Sequence, residues 1–329
     1  MQSIHALGNI LSVQMNAVHG AIIHTLKSDV PLIETLGGHV LKAGGKRLRP
    51  LLTLASANLF STHTSDALIS LASAVELIHT ATLIHDDVLD DSHLRRGTQT
   101  AKSLWGNTCS ILVGDFLFAR AFEKMVDCQN LDILTYLSQI SGLICQGEVK
   151  QLTMQHDISA QISDYLDVIS LKTASLFRAS CYVGAKIVGA PEESAHLIGQ
   201  YGENLGMAFQ IVDDILDYTQ TAETLGKEPG DDYQEGKMTL PIILLLQAQP
   251  DLAPIFVEDD KKHFDVLLQA MKAENIIDAC HQYARHYANQ ALACLESIHT
   301  PTQDYNQNIN ADVHIILRDL AQEALHRHA

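Results

Sequence analysis

Apolar residues recur every three or four positions along almost the whole chain, within long stretches rich in alanine, leucine and isoleucine. This spacing places them on one face of an α-helix, whereas a half-buried strand would alternate apolar and polar residues. Only eight prolines interrupt the pattern, and convincing alternating strands joined by turn dipeptides are absent. The pattern therefore predicts an all-α fold. Its helices are expected at residues 4–26, 32–42, 48–60, 66–91, 107–126, 130–155, 161–189, 191–218, 239–248, 262–273, 275–298 and 310–327.

Two polar interruptions of this pattern are expected to be functional loops. One is the glycine-rich segment at residues 44–47, and the other is the charged, glycine-bearing span at residues 219–236. No change of composition marks a linker, and no repeat period is present. We therefore expect residues 1–329 to form a single domain, a large helical bundle with a deep apolar core.

The charge balance excludes some classes of partner. The formal net charge is −17, with 22 lysines and arginines against 39 acidic residues. Such a chain lacks a general surface for binding polyanions, so nucleic acid is not expected as a partner. An anionic ligand would require the few cations to be concentrated locally, or metal ions to be recruited.

Cysteine usage and the N-terminal sequence indicate the compartment. The six cysteines are scattered and form no CxxC pair, which favours reduced thiols over a disulfide framework or a zinc site. The first helix lacks a basic region followed by a continuous apolar stretch, so a signal peptide is not expected. No segment is expected to approach the ~20 apolar residues that span a bilayer. These features predict a cytoplasmic protein with at most peripheral membrane contact.

The pattern DDxxD occurs twice, beginning at Asp86 and at Asp213, each time at the end of a strongly apolar helix. Residues four apart share a helix face, so Asp86 and Asp90 project two carboxylates in the same direction. Asp213 and Asp217 do the same on the second helix. Like charges so placed repel, and oxygen-seeking Mg²⁺ is the natural compensation when diphosphate oxygens complete its coordination. A solvated helix end is the alternative for either motif alone, but two motifs favour a shared magnesium site.

Further polar residues share these helix faces. His79 precedes Asp86 by seven positions and can reach the same cavity, although a core histidine bonded to a backbone carbonyl fits the pattern equally well. Gln210 precedes Asp213 by three positions and can donate to a phosphate oxygen. Cationic residues, which suit a diphosphate, bracket both motifs. They are Lys46, Arg47, Arg49, Arg95, Arg96, Lys172, Lys227 and Lys237.

Five segments carry a family resemblance: GGKRLRP, LIHTATLIHDDVLDDSHLRRG, LKTASLF, MAFQIVDDILDY and LGKEPGDDYQEGKMTLP. With them the chain resembles the trans-isoprenyl diphosphate synthases, or polyprenyl synthetases, and in detail the bacterial octaprenyl diphosphate synthases. The likeness runs over essentially the whole length. It implies the isoprenoid synthase fold, in which a helical bundle surrounds a central cavity, and it implies a homodimer.

The resemblance also implies roles for the residues at matching positions. Asp86, Asp90 and Asp213 would ligate two or three Mg²⁺ ions bound to the allylic diphosphate, and Asp217 completes the predicted metal set. That diphosphate would be held by Arg95, Lys172, Thr173, Gln210, Lys227 and Lys237. Isopentenyl diphosphate would be held by Lys46, Arg49, His79 and Arg96. The residues expected to act in catalysis are Asp86, Asp90, Arg95, Lys172, Asp213 and Lys227.

The implied reaction is ionisation of the allylic C–O bond, attack of the isopentenyl double bond on the carbocation, and loss of a proton. Metal ions stabilise the departing diphosphate, so no protein nucleophile is needed. One departure from the family pattern is Met238, where many relatives have proline. Its effect would fall on the rigidity of that loop rather than on the chemistry.

Product length can be argued from side-chain size ahead of the first motif. Thr82 lies one turn, about 5.4 Å, before Asp86, and Ala81 lies beside it. Because both are small, a growing tail should pass them and stop at a deeper floor, for which Met125 and Leu137 are candidates. Ordinary core packing is the alternative for each of these residues. We expect an octaprenyl product for a quinone side chain, grown from farnesyl diphosphate, with nonaprenyl and shorter products as alternatives.

Two other classes of function are compatible with part of the sequence. A terpene cyclase shares the ionisation chemistry but needs no isopentenyl site, and Lys46, Arg49 and Arg96 argue against it. A non-catalytic subunit of a heteromeric synthase normally has decayed aspartate motifs, and both motifs are intact here.

Overall fold

The computed structural model describes residues 1–42, 45–220, 230–257, 263–298 and 310–326. Helices dominate these residues, which confirms the predicted all-α fold. The helices are α1 Gln2–Ile10, α2 Ser12–Thr25, α3 Pro31–Lys42, α4 Leu48–Phe60, α5 Asp66–Leu89, α6 Ala101–Asp127, α7 Leu131–Thr153, α8 Ile162–Ile169, α9 Ser175–Ile187, α10 Glu192–Thr219, α11 Asp231–Gln234, α12 Leu240–Ala248, α13 Ala253–Val257, α14 Phe264–Ala273, α15 Ile276–Glu296 and α16 Ala311–Glu323. Short 3₁₀ turns cover Pro250–Leu252 and Ala324–His326, and a π-helical turn covers Ser170–Ala174.

Side-chain caps fix the starts of several helices. In each case a side-chain oxygen accepts a hydrogen bond from the backbone N–H three residues on, which satisfies one of the donors left open in the first turn. The capping residues are Ser65 before α5, Thr100 before α6, Asn130 before α7 and Asn310 before α16. The starts of α5, α7 and α16 lie within one residue of the predicted ones.

Two predicted helices are interrupted, and a third begins earlier than predicted. The helix expected at 4–26 breaks at Leu11, and the helix expected at 161–189 is divided by the π-helical turn. Helix α6 begins six residues before the predicted start at residue 107, because Gly106, with φ 79°, allows a kink between two helical parts. Apolar periodicity does not report these breaks, since the apolar face continues across each of them.

A two-residue hairpin follows α5, which the sequence pattern did not predict. Strand β1, Leu94–Arg95, pairs antiparallel with strand β2, Thr98–Gln99. The turn residues Arg96 and Gly97 both have positive φ, 53° and 74°, as a tight hairpin turn requires. Strands of two residues are too short to show an alternating pattern. The hairpin places two adjacent arginines just beyond the first aspartate motif.

Helix α5 lies at the centre of the bundle and packs against α2, α4, α6 and α9. By length and composition it could cross a membrane, so the expectation that no segment approaches that length was wrong. Its most apolar 18-residue stretch is 67% buried inside the protein, which is typical of a central core helix. Apolar residues on all sides of α5 therefore serve packing, and the helix holds the first motif at its end.

The apolar core has two parts. The larger cluster joins α1–α7 and α9 to the first half of α10, the end of α15 and α16. The smaller cluster joins α8, the second half of α10, α11–α14 and the start of α15. Helix α10 contributes to both and packs closely on α9 and α15. The division into domains is not tested by this packing, so a single domain stays a prediction.

Candidate active site

The two DDxxD motifs lie near the C-terminal ends of α5 and α10, and a carboxylate from each acts on the same arginine, Arg49. Asp86 is in the last turn of α5, and Asp213 is in α10. Burial lowers the pKa of the Arg49 guanidinium to about 10, and the charges of Asp213 and Asp86 are among those that oppose this lowering. Carboxylates from two helices thus act on a single cation, so both motifs lie in the neighbourhood of Arg49.

Lys237 joins the first motif to the segment after α10. Its Nζ lies 3.2 Å from Asp90 Oδ2 and 3.9 Å from Asp232 Oδ1, and it also pairs with Glu235. Burial opposes the charge on this lysine, but the three carboxylates outweigh burial and raise its pKa well above the ordinary value. A cleft of about 200 Å³ opens here. Its lining includes Asp90, Arg95, Arg96, Asp232, Glu235 and Lys237.

The hairpin holds its two arginines differently. Arg95 Nε donates to Asp87 Oδ1 at 2.7 Å, and Asp87 is buried. Burial raises the pKa of Asp87, although the charge of Arg95 acts against this rise. Arg96 is exposed and lies against Gly45, where an added Cβ would come within 2.6 Å of Nη1. Asp87, for which no role was predicted, therefore anchors Arg95, and Gly45 leaves room for Arg96.

Lys172 is held by α7. Its Nζ donates to Glu148 Oε2 and to Gln151 Oε1, each at 2.8 Å. Burial opposes its charge, but Asp86 and Glu148 outweigh burial and raise the pKa of Lys172. An added Cβ at Gly147 would come within 2.6 Å of the Lys172 backbone nitrogen, so glycine allows α7 to approach the π-helical turn closely. Sequence reasoning missed Glu148 and Gln151, because their partner lies on another helix.

A hydrogen-bonded chain connects the π-helical turn to α10. Thr173 Oγ1 donates to Gln210 Oε1 at 2.9 Å, and Gln210 Nε2 donates to Asp214 Oδ1 at 2.8 Å. Tyr165 OH donates to Asp214 Oδ2 at 2.6 Å. Burial raises the pKa of Asp214 to about 8, and Asp232 adds to the rise. The amide of Gln210 is thus oriented with one N–H committed, which leaves the second for a ligand.

A second polar group lies between α4, α5 and α9. Arg49 Nη1 lies 3.0 Å from His79 Nε2, and the guanidinium carbon lies 4.6 Å above the centroid of the Phe177 ring. Burial, together with the charge of Arg49, lowers the pKa of His79 well below its ordinary value, so the imidazole is neutral and Nε2 accepts from Arg49. Glu76, one turn earlier in α5, is buried, and its Oε2 has no hydrogen-bond partner among the described residues. Sequence reasoning missed this carboxyl group.

The remaining predicted cations are placed as follows. Lys46 is exposed, and Arg47 Nη1 lies 2.7 Å from His19 Nδ1 on α2. Lys227 lies outside the described residues. Asp217, predicted as a metal ligand, is buried, and its Oδ2 accepts a hydrogen bond from a backbone N–H. Its role as a ligand stays a prediction.

Met238, which stands where many relatives have proline, is ordered by other contacts. The Met238 side chain is buried in the smaller apolar cluster. The N–H of Thr239 donates to the Lys237 carbonyl at 2.9 Å, which closes a tight turn around Met238. Packing and this hydrogen bond supply the order that a proline ring would give.

The candidate chain-length residues lie in the larger cluster. Ala81, Met125 and Leu137 are fully buried. Thr82 is partly exposed, and its Oγ1 donates to the His79 carbonyl at 2.8 Å. This burial suits a tunnel floor and ordinary core packing alike, so the predicted roles stay predictions.

The donors at the cleft suit a magnesium ion that substrate helps to bind. In the part of the chain that the structure describes, no group of three or more His, Cys, Asp or Glu side chains is arranged to hold a metal on its own. Mg²⁺ prefers oxygen ligands and is commonly held by one or two carboxylates, with waters and substrate phosphates completing the octahedron. Asp86, Asp90 and Asp213 offer such carboxylates beside cations that suit a diphosphate.

Comparison with known proteins agrees with this geometry. A family model described as polyprenyl synthetase matches residues 30–283. The chain is 37% identical over 300 residues to octaprenyl diphosphate synthase of Escherichia coli (strain K12), covering 89% of this chain and 93% of that protein. It is 39% identical over 287 residues to all-trans-nonaprenyl-diphosphate synthase (geranyl-diphosphate specific) of Rhodobacter capsulatus, covering 86% and 87%. A solved polyprenyl synthase from Caulobacter crescentus CB15, complexed with calcium and isoprenyl diphosphate, has a TM-score of 0.91 and 40% identity, covering 99% of this chain and 98% of that one.

Proposed function

Because this chain belongs to the polyprenyl synthetase family and is a prenyltransferase, we propose that it is a long-chain trans-polyprenyl diphosphate synthase. It joins isopentenyl diphosphate to an allylic diphosphate, with farnesyl diphosphate as the expected primer. The observation that carries this proposal is that Asp86 and Asp213, from two helices, both act on the guanidinium of Arg49.

The allylic diphosphate fits the cleft beside the first motif. Arg95 and Lys237 line this cleft, and the charge of Asp86 acts on Lys172. A carboxylate holds each of the three, so their charges are oriented before a ligand arrives. Asp86, Asp90 and Asp213 would hold magnesium, which supplies charge neutralisation as the diphosphate leaves. Fixed cations of this kind stabilise a leaving group without reorganising during the reaction.

Isopentenyl diphosphate fits the second polar group. The Arg49 guanidinium is fixed by His79 and by the Phe177 ring, which favours one orientation of its remaining donors. A neutral His79 adds no charge and keeps its Nε2 available to accept from Arg49. Holding two reactants in neighbouring pockets turns the condensation into an effectively unimolecular step.

The enzyme should be active as a single purified chain. Incubation with farnesyl diphosphate, labelled isopentenyl diphosphate and Mg²⁺ is expected to give labelled polyprenyl diphosphate, and Asp86→Asn should lower the rate about a hundredfold or more. No elongation by the wild type would defeat the proposal. Turnover of the allylic substrate alone would favour a terpene cyclase, and activity only after adding a second subunit would favour a heteromeric synthase.

We propose an octaprenyl product for a quinone side chain. The support is the small size of Ala81 and Thr82 ahead of the first motif and the similarity to the octaprenyl diphosphate synthases of Escherichia coli and Haemophilus influenzae. Mass spectrometry of the products of wild type, Ala81→Phe and Thr82→Phe tests this. Because Ala81 is fully buried, Thr82→Phe is the variant less prone to misfold. Shorter products are expected, and unchanged length in a folded Thr82→Phe would refute the tunnel.

A homodimer in the cytoplasm completes the proposal. Helix α6 exposes several large apolar side chains, which suits contact with a second copy. They are Leu104, Ile111, Leu112, Phe122 and Val126. The cysteines are unpaired, as in a reducing compartment. Light scattering after gel filtration should give twice the chain mass of 36.1 kDa, and a monomer would contradict the dimer.

A further inference from the structure

Asp217, the last residue of the second motif, contacts the chain at residues 230–237 through both its side chain and its backbone. Its Oδ2 accepts a hydrogen bond from the N–H of Asp232 at 3.1 Å. Its carbonyl oxygen accepts from the N–H of Gly230 at 3.0 Å. The residue is only 2% exposed. A buried carboxyl oxygen that accepts from a backbone N–H satisfies a donor that would be costly to leave unpaired.

The segment 230–237 passes this contact on to the first motif. The carbonyl oxygen of Asp232 accepts from the N–H of Lys237 at 2.9 Å. Lys237 then reaches Asp90, with its Nζ 3.2 Å from Asp90 Oδ2. Asp232 therefore donates its N–H to Asp217 of the second motif, and its carbonyl accepts from Lys237, which pairs with Asp90 of the first motif.

Other contacts hold the same segment in place, so the loss of one hydrogen bond should loosen it rather than unfold it. Tyr233 is fully buried, with its ring centroid 5.9 Å from that of Phe256 and 5.7 Å from that of Phe264. Tyr218 OH and Thr239 Oγ1 lie 3.1 Å apart just beyond the segment. The N–H of His156 also donates to the Gly236 carbonyl at 2.9 Å, and the Asp217 contacts are those that tie the segment to the second motif.

We propose that Asp217 is a positioning residue that clamps the segment 230–237 and thereby places Lys237 against the diphosphate site, instead of binding magnesium itself. This rests on the proposed function, in which Lys237 holds the allylic diphosphate. The two aspartates of the second motif that share a helix face then have different tasks. The charge of Asp213 acts on Arg49, and Asp217 holds the segment that carries Lys237.

Replacement by asparagine separates the two roles of a carboxylate. Asparagine keeps an oxygen that can accept from the N–H of Asp232, but it lacks the charge that favours a Mg²⁺ ligand. The variants are Asp217→Asn and Asp217→Ala, with Asp213→Asn as the matched control on the same helix face. Steady-state kinetics give kcat, the KM of each substrate and the Mg²⁺ concentration for half-maximal rate. Circular dichroism reports folding.

The clamp predicts rescue by asparagine. Asp217→Ala should raise the KM for the allylic diphosphate about tenfold, with the Mg²⁺ requirement changed by no more than about threefold. Asp217→Asn should stay within about threefold of wild type in both quantities, whereas Asp213→Asn should lose about a hundredfold in kcat. If Asp217→Asn is as impaired as Asp217→Ala and needs far more Mg²⁺, Asp217 is a metal ligand and the proposal is overturned.

Hydrogen exchange tests the clamp without turnover. The backbone amides of 230–237 should exchange about tenfold faster in Asp217→Ala than in wild type, and at nearly the wild-type rate in Asp217→Asn and Asp213→Asn. Equal exchange in all four proteins would overturn the clamp. If wild type makes no polyprenyl diphosphate, the proposed function fails, and the exchange rates still decide whether Asp217 holds the segment.

Discussion

Replacement of Glu76 by glutamine should make the protein more stable above neutral pH. Burial raises the pKa of Glu76 from its ordinary 4.5 to about 7, and the charges of Arg49, Arg47 and Arg96 act in the opposite direction. The folded protein therefore keeps a proton on this carboxyl group over a pH range in which the unfolded chain has lost it. The stability that this gives is fully present below pH 4.5 and is lost as the pH rises through 7. Glutamine resembles the protonated side chain in shape and has no charge to lose.

The size of the effect follows from the two pKa values. A difference of one pKa unit corresponds to about 1.4 kcal/mol. A rise in the pKa from 4.5 to about 7 contributes about 3 kcal/mol to the free energy of unfolding at low pH. About 2 to 3 kcal/mol of this contribution is lost between pH 5 and pH 8. Wild type and Glu76→Gln should thus have similar free energies of unfolding at pH 5. At pH 8 the variant should exceed wild type by about 2 to 3 kcal/mol.

Urea unfolding followed by circular dichroism, at several pH values between 5 and 8, measures this difference. Other carboxyl groups with raised pKa values, such as that of Asp214, are present in both proteins and cancel when the two curves are subtracted. Glu296→Gln, at an exposed position at the end of α15, is the matched control and should give a flat difference. A flat difference for Glu76→Gln would show that the buried carboxyl group does not titrate in this range, which refutes the reasoning.

Three further outcomes are expected. Gly184→Ala should lower the free energy of unfolding by about 1–3 kcal/mol, because its Cβ would collide with the carbonyl oxygen of Thr53 where α9 crosses α4. Gly142→Ala is the control, because its added Cβ would have no atom within 4 Å, and it should be neutral or stabilising by up to about 1 kcal/mol. Equal changes in the free energy of unfolding for the two variants, measured by urea titration, would contradict this. Arg49→Lys should raise the KM for isopentenyl diphosphate about tenfold, because lysine lacks the planar guanidinium that meets His79. The KM for the allylic substrate should stay within about twofold of wild type. Equal increases in both KM values would count against separate pockets for the two substrates. Chelation of divalent ions should stop turnover and added Mg²⁺ should restore it, whereas undiminished activity in excess chelator would exclude a metal requirement.

Much of the site was predictable from local spacing. The four-residue spacing from Asp86 to Asp90 and the seven residues from His79 to Asp86 report which side chains share a face of α5. The spacing of apolar residues predicted the starts of α4 and α5 correctly, because an uninterrupted helix shows a regular pattern of apolar residues. Such features depend only on residues close together in the chain.

Contacts between distant residues were not predictable in this way. Nothing near Glu148 indicates that it meets Lys172, and nothing near Asp87 indicates that it anchors Arg95. The hairpin was missed because its strands are too short for a pattern. The burial of Glu76 places a carboxyl group where hydrophobicity predicts an apolar one, and only the surrounding arginines account for it.

The π-helical turn at Ser170–Ala174 has a consequence for how this protein can vary. Lys172 and Thr173 are adjacent in this turn, but Lys172 bonds to α7 and Thr173 bonds to α10. A widened turn lets adjacent side chains reach partners on different helices. A π-helical turn holds one more residue than an α-helical turn, so removal of one residue would leave a regular helix that lacks one of these side-chain positions. Homologous sequences that keep both contacts should therefore keep the length of this turn, and an alignment gap there would mark the loss of one of the two contacts.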